Sequence, residues 1–223
     1  MFTGFTQETS DWFWELQFHN ERPWFLAHKP QFECAVRAPF LALAEETFER
    51  FRSFAPKGRD WILHISRIYR DARIPSVRGP YKDHLWFSIE EGRAVAGVPS
   101  FWVAVSADRF ERGAGFWSAT PMQMQRYRAR IDADPAGFEA ILRAMTADGR
   151  FSQYEELYIR PKGDRGEFLN PWYNCRQPGV GYCQPFGGEA LSPELPRLLA
   201  EDFRLLLPYY EFLRVLREEG ESQ

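Results

Sequence analysis

Between Arg67 and His84 the chain reads RIYRDARIPSVRGPYKDH, which sets Arg67, Arg70, Arg73, Arg78 and Lys82 among Tyr69, Asp71, Tyr81 and His84. Cations this close in sequence repel one another. A fold tolerates them most easily when an anion sits among them, either the protein's own carboxylates or a ligand's phosphate or carboxylate. Arg67, Tyr69, Arg70, Arg73, Tyr81 and Lys82 are therefore the candidate ligand contacts. The guanidinium forks would grip oxygens in pairs, Lys82 would add a point charge, and the phenols would add donors. For any proton transfer the candidates are His84, whose ring titrates near neutrality, and Asp71, which is also spaced to orient an arginine. The Gly79-Pro80 turn is expected to fold residues 81–84 back against 67–73. An internal Arg–Asp–Tyr network that ties a loop to the domain is the competing reading of the same residues.

Familiar catalytic signatures are missing. The chain has no GxxxxGK[ST] phosphate loop, no GxSxG, no HExxH and no EF-hand pattern, so nothing nominates a reaction class. Gly113-Ala114-Gly115 lies outside a strand–turn–helix context and reads as a hairpin turn. Cys34, Cys175 and Cys183 form no CxxC pair, and no His follows His84. Neither a disulfide framework nor a metal site is expected, and no cofactor is implied. His19 and His28 read as capping or packing residues at helix ends, and His64 as a partly buried strand residue. Glu45, Glu46 and Glu49 read as a solvated helix face.

Charge and composition narrow the partners. The 223 residues carry a formal net charge of −3, yet residues 57–82 hold seven Lys or Arg against Asp60 and Asp71. The rest of the chain is thus acidic, which disfavours a generally basic nucleic-acid binder and leaves a local anion site open. Phe, Trp and Tyr make up 17% of residues, more than a core needs, so some rings are expected to line a groove or an interface. The length suits one domain over residues 1–223. The opening MFTGFTQETSDWF lacks a basic leader with an apolar run, and no stretch approaches a membrane span, so a cytoplasmic protein is expected.

The elements that must position these residues follow from periodicity. Thr6 is placed to cap a helix with Trp12, Phe13, Leu16 and Phe18 on its apolar side. A helical region beginning at Pro23 is expected to reach about Phe54, kinked near Pro30 or Pro39. At Asp60 the period drops to two: Trp61, Leu63 and Ile65, then Leu85, Phe87 and Ile89, then Phe101, Val103 and Val105. Thr120-Pro121 and Asp134-Pro135 start two further helices. Residues 157–160 read as a short strand, and the Gly- and Pro-rich stretch 161–190 as a long ordered loop with short strands. Ser192-Pro193-Glu194 opens a last helical region, interrupted at Pro208. The expected class is α+β: an antiparallel or mixed sheet, from residues 60–118 plus a later strand, packed by N-terminal, middle and C-terminal helices.

Four segments, HNERPWFLAHKPQFE, RIYRDARIPSVRGPYKDH, GAGFWSATPMQMQRYRARI and the PKG at 161–163, occur in an order that resembles domain of unknown function 2461, a microbial and fungal family. Asn20, Trp24, Phe25 and Lys29 match its NNxxWF-like element, with His19 departing from it. Arg67, Tyr69, Arg70, Asp71, Arg73, Pro80, Tyr81 and Lys82 match its RxYRDxRFSKDKxPYK element, while Ile74, Pro75, Ser76 and Val77 replace the Phe-Ser-Lys-Asp. Gly115 and Arg128 match a later element. The resemblance implies one domain over nearly the whole chain and brings no activity with it. Three functions remain: a small phosphorylated or otherwise anionic ligand bound, with or without being transformed; nucleic acid stacked on Tyr69, Tyr81 or Trp86; or a protein partner covering the surplus rings. The sequence leaves the oligomeric state open.

Overall fold

A computed structural model describes residues 1–71, 79–92, 97–154 and 156–216. Its centre is a sheet in which every pairing is antiparallel, in the order β1-β2-β3-β4-β6-β5. The strands are β1 (Trp61–Ile65), β2 (His84–Glu91), β3 (Pro99–Ser106), β4 (Arg109–Phe116), β5 (Ser152–Gln153) and β6 (Gly179–Pro185). The change of period at Asp60 thus marks the start of the sheet, and residues 60–118 supply four of the six strands among the described residues.

Alternation decides which face is covered. Leu85, Phe87 and Ile89 of β2 and Phe101, Val103 and Val105 of β3 are almost fully buried, all on one face because strand side chains alternate. Two helices lie on that face: α4 (Ala38–Arg52) against β1 and β2, and α8 (Leu195–Arg214) against β3, β4 and α4. The buried apolar residues form one continuous cluster from Phe2 to Leu216.

Before α4 come α1 (Gln7–Phe18), α2 (Arg22–Ala27), α3 (Lys29–Phe32) and a π-helical turn, Glu33–Arg37. The expected long kinked helix is therefore several pieces. Its breaks fall at His28, whose Nδ1 bonds the Trp24 carbonyl at 2.8 Å, and at the wide turn just before Pro39, where the missing proline N–H makes irregular winding cheap. After β4, α5 (Pro121–Ala133) and α6 (Pro135–Thr146) begin at Thr120 and Asp134, whose side chains accept from Gln123 N–H and Gly137 N–H. α7 (Asn170–Tyr173) and β6 structure the Gly- and Pro-rich stretch.

Some sequence expectations are corrected. The expected strand at 157–160 shrinks to one bridge, Leu157 with Cys175. α8 runs through Pro208. Gly113 and Gly115 lie inside β4 rather than at a turn, because the hairpin closes between Ser106 and Arg109. His64 is exposed, since its alternation points it to the uncovered face. Among the described residues, no helix is long and apolar enough to cross a membrane.

Candidate functional site

Beyond the ends of β1 and β2 the chain continues as a two-armed extension. Tyr69 bridges Tyr81, Arg70 N–H donates to the Pro80 carbonyl at 2.9 Å, and Lys82 N–H donates to the Ile68 carbonyl at 2.7 Å. Residues 80–82 thus run back against 68–70, as expected, with Pro80 already in the second arm; the residues that join the arms, 72–78, lie outside the described residues. Asn20 fixes the second arm from outside: its amide donates to the Tyr81 carbonyl at 2.9 Å and its side-chain oxygen accepts Tyr81 N–H at 3.0 Å. Gly79 permits that clamp. It holds φ +82°, and a Cβ there would stand 2.6 Å from Asn20 Oδ1, so a larger residue meets both strain and a clash. Phe25 stacks on Tyr81 at 4.1 Å between ring centres. Arg73 and Arg78 lie outside the described residues.

The arms separate the cations by role. Arg70 is engaged within the protein: Nε donates to the Tyr81 carbonyl at 2.8 Å and Nη2 lies 3.7 Å from Asp83. Burial works against the Asp83 charge. The bond from the His84 ring at 2.8 Å, its own backbone and nearby Arg70 nonetheless hold its carboxyl below the usual range. Tyr81 is buried, and its phenol is pushed up by burial and by Tyr69. Lys82 has its pKa lowered by burial and then by the repulsion of Arg67 and Arg70, and its ammonium lies over the Trp86 ring at 5.7 Å. Arg67, Tyr69 and Asp71 are exposed. Neither Arg67 nor Lys82 forms an ion pair with a carboxylate among the described residues.

Two cavities flank the extension. The first, about 450 Å³, lies between the extension and α2–α4. Arg67 and Tyr69 enter it from the extension; Lys29 and Arg37 come from the helices. Its walls are apolar, made by Phe25, Phe32, Phe40, Ile65, Ile68 and Leu85. Arg37 is paired with Glu33 at 2.9 Å. Arg67 and Lys29 are therefore the cations at this cleft without a carboxylate partner among the described residues. Lys29 and Arg37 escaped the sequence reading as site residues. Lys29 carried a signal, its place in the PWFLAHK segment beside Phe25, whereas Arg37 carried none.

The second cavity, about 690 Å³, lies on the sheet face that the helices leave uncovered. Asp83 and His84 line it, so the proposed proton carrier faces a different space from Arg67 and Tyr69. Sequence reasoning missed most of this groove. Its signal was the second phase of the alternation, Trp86-Ser88-Glu90 in β2 and Ser100-Trp102-Ala104 in β3, aromatic and polar where the first phase is aliphatic.

The sequence model of one family, described as conserved hypothetical protein (DUF2461), matches residues 8–212. No curated protein matches the chain.

Proposed function

The chain belongs to the DUF2461 family of conserved hypothetical proteins, and from that premise we propose that it binds a small anion carrying an apolar body. The ligand's phosphate or carboxylate would meet Arg67 and Lys29 at the cleft between the extension and α2–α4, with Lys82 adding to the positive potential and Tyr69 offering a hydroxyl. The apolar body would lie on Phe32, Phe40 and Leu85. The observation that carries this reading is the unneutralised charge: Arg67 and Lys82 lack an ion-pair partner among the described residues, and the Lys82 pKa is lowered by burial and then by the repulsion of Arg67 and Arg70. An anion would relieve that repulsion, and the dry walls would strengthen the attraction. Arg70 and Tyr81 serve as positioning residues in this reading, because Arg70 is engaged by the Tyr81 carbonyl and Asp83, while Tyr81 is held at its backbone by Asn20 and at its buried ring by Phe25. His84 and Asp71 are given no step, so the proposal is binding and names no reaction.

Nucleic acid is the weaker alternative. Trp86, the ring best placed to stack a base, lines the groove that also holds Asp83, Glu90, Asp108 and Glu111, a lining that offers a phosphate backbone few of the cations it needs.

The test is thermal unfolding in inorganic phosphate and in a panel of phosphorylated and carboxylated metabolites. Binding to the folded state raises Tm by mass action, and added sodium chloride should erode the shift. Arg67→Ala with Lys29→Ala should abolish the shift while leaving the unliganded Tm close to wild type. A double variant that responds to the anions as the wild type does would sink this assignment.

A further inference from the structure

The uncovered sheet face is built in a way that packing alone does not require. One row of the sheet runs His64, Ser88, Trp102, Gly113, Gly181 across five strands in register. Both glycines make room for rings. A Cβ on Gly113 would collide first with the Val180 carbonyl of the paired strand and would also stand 2.9 Å from the Trp102 indole, and one on Gly181 would stand 2.5 Å from the Tyr154 ring. Trp102 and Tyr154 therefore lie down over the strands beside them, 5.3 Å apart between centres. Trp86 continues the floor beside His64, at 5.2 Å, while Trp14 of α1 and the highly exposed Trp117 stand at the rim.

Polar groups are set among these rings. Glu90 is only 6% exposed, and its one hydrogen bond among the described residues comes from the Ser88 hydroxyl at a long 3.4 Å. A carboxyl so buried and so weakly held retains most of its bonding capacity for something in the groove. Glu111 accepts from the Tyr154 hydroxyl at 3.1 Å.

We propose that this groove is a second, separate binding site, and that its occupant is a neutral saccharide whose pyranose faces stack on Trp102 and Trp86 and whose hydroxyls bond Glu90, Ser88 and Glu111. Flat aromatic floors with interspersed carboxyl and hydroxyl groups match the alternation of C–H faces and O–H edges on a sugar ring. Charge bookkeeping separates this occupant from the other chemistry an aromatic and acidic groove can hold, an organic cation. Asp83 is bonded by His84, Asp108 lies 3.4 Å from Arg109, and Arg109 is also 3.9 Å from Glu111. Burial moves Glu90 toward its neutral acid. Little unpaired negative charge remains to favour a cation, and the Lys82 ammonium over the Trp86 ring disfavours one further, so a polar neutral ligand fits best. The site uses neither Arg67 nor Lys29, and although the Lys82 ammonium lies over the Trp86 ring no saccharide contact is assigned to it, so the site stands independently of that proposal.

The experiment is a glycan array followed by titration of tryptophan fluorescence with cello-, chito- and malto-oligosaccharides. Saturable quenching with at least one series is expected, little changed by sodium chloride. Trp102→Ala and Glu90→Gln should each weaken it about tenfold or more, while Trp102→Phe should keep part of it and Arg67→Ala all of it. Tyr154→Ala, at the edge of the sheet, provides a groove variant should Trp102→Ala fold poorly, and is expected to weaken binding likewise. No saccharide binding at millimolar concentration would overturn the proposal. So would binding that Glu90→Gln and Tyr154→Ala leave unchanged, or capture of spermidine in place of sugars with loss at high salt.

Discussion

Two groups of cations in this chain meet opposite fates. On the covered face of the sheet Arg112 is wholly buried, yet its Nε donates to Asp202 at 2.6 Å and Nη2 to Glu189 at 2.7 Å, and its guanidinium lies 4.6 Å above the Tyr182 ring. Arg150 adds a bond to the other Asp202 oxygen at 2.8 Å. At the extension, Arg67 and Lys82 stand near each other without such partners among the described residues. Each group is in a position to repel itself, and only the first is neutralised by the fold. A network closed by carboxylates holds helix α8 to strand β4. A cluster left open holds no element to another, and its charge is available to a ligand.

That contrast can be tested from both sides. The largest effect is expected at the closed network: Arg112→Ala should cost about 3–5 kcal/mol, because it leaves Asp202 and Glu189 short of a partner inside the protein. Chemical denaturation measures this, and a loss below about 1 kcal/mol would show that the network does not tie α8 down. Next comes Asn20→Ala, which removes both side-chain bonds to the Tyr81 backbone. A cost of about 1–3 kcal/mol is expected, with faster amide exchange at Tyr81 as the local signature. An unchanged exchange rate there would mean that the Phe25–Tyr81 stack suffices to hold the extension.

The smallest effect is expected within the open cluster. Lys82 has its pKa lowered in the folded chain, by burial and then by Arg67 and Arg70, so the unfolded chain holds that proton more tightly. The resulting penalty is full below the folded pKa and disappears as pH rises past the ordinary lysine value, which makes stability climb with pH across that window. Lys82→Met keeps contact with Trp86 and removes the charge. It should match or slightly exceed wild-type stability at neutral pH, within about 0.5 kcal/mol, and lose the advantage in alkaline solution. Paired denaturation curves at neutral and alkaline pH check this. A clear destabilisation at neutral pH would mean that Lys82 has an attractive partner after all.

Much of the architecture was legible in residue order, because it rests on local rules. The step from helical spacing to alternation at Asp60 marks the sheet; Thr120 and Asp134 mark helix starts; Leu85-Phe87-Ile89 and Phe101-Val103-Val105 mark the covered face. The return of residues 81–84 against 67–73 was expected, and residues 80–82 do pair with 68–70; the family resemblance coincides with the match over residues 8–212. Tertiary structure alone decided how the cations divide. Nothing near Arg112 in sequence reveals Asp202 and Glu189, which arrive from elements far along the chain, so a buried arginine between Phe110 and Ala114 looked like any strand residue. Likewise Arg70 and Arg67, three residues apart, differ because one reaches the Tyr81 carbonyl across the extension and the other faces the cleft beside Lys29. Gly113 and Gly115 read as a turn because a lone strand gives no reason for glycine, and the reason at Gly113 comes from both neighbouring strands, the Val180 carbonyl on one side and the Trp102 indole on the other. Sequence determined which residues alternate and where the chain must turn, since those depend on neighbours along the backbone. Which charges are cancelled and which rings lie bare depends on what the fold brings alongside from distant segments, and only the assembled sheet and its helices settle that.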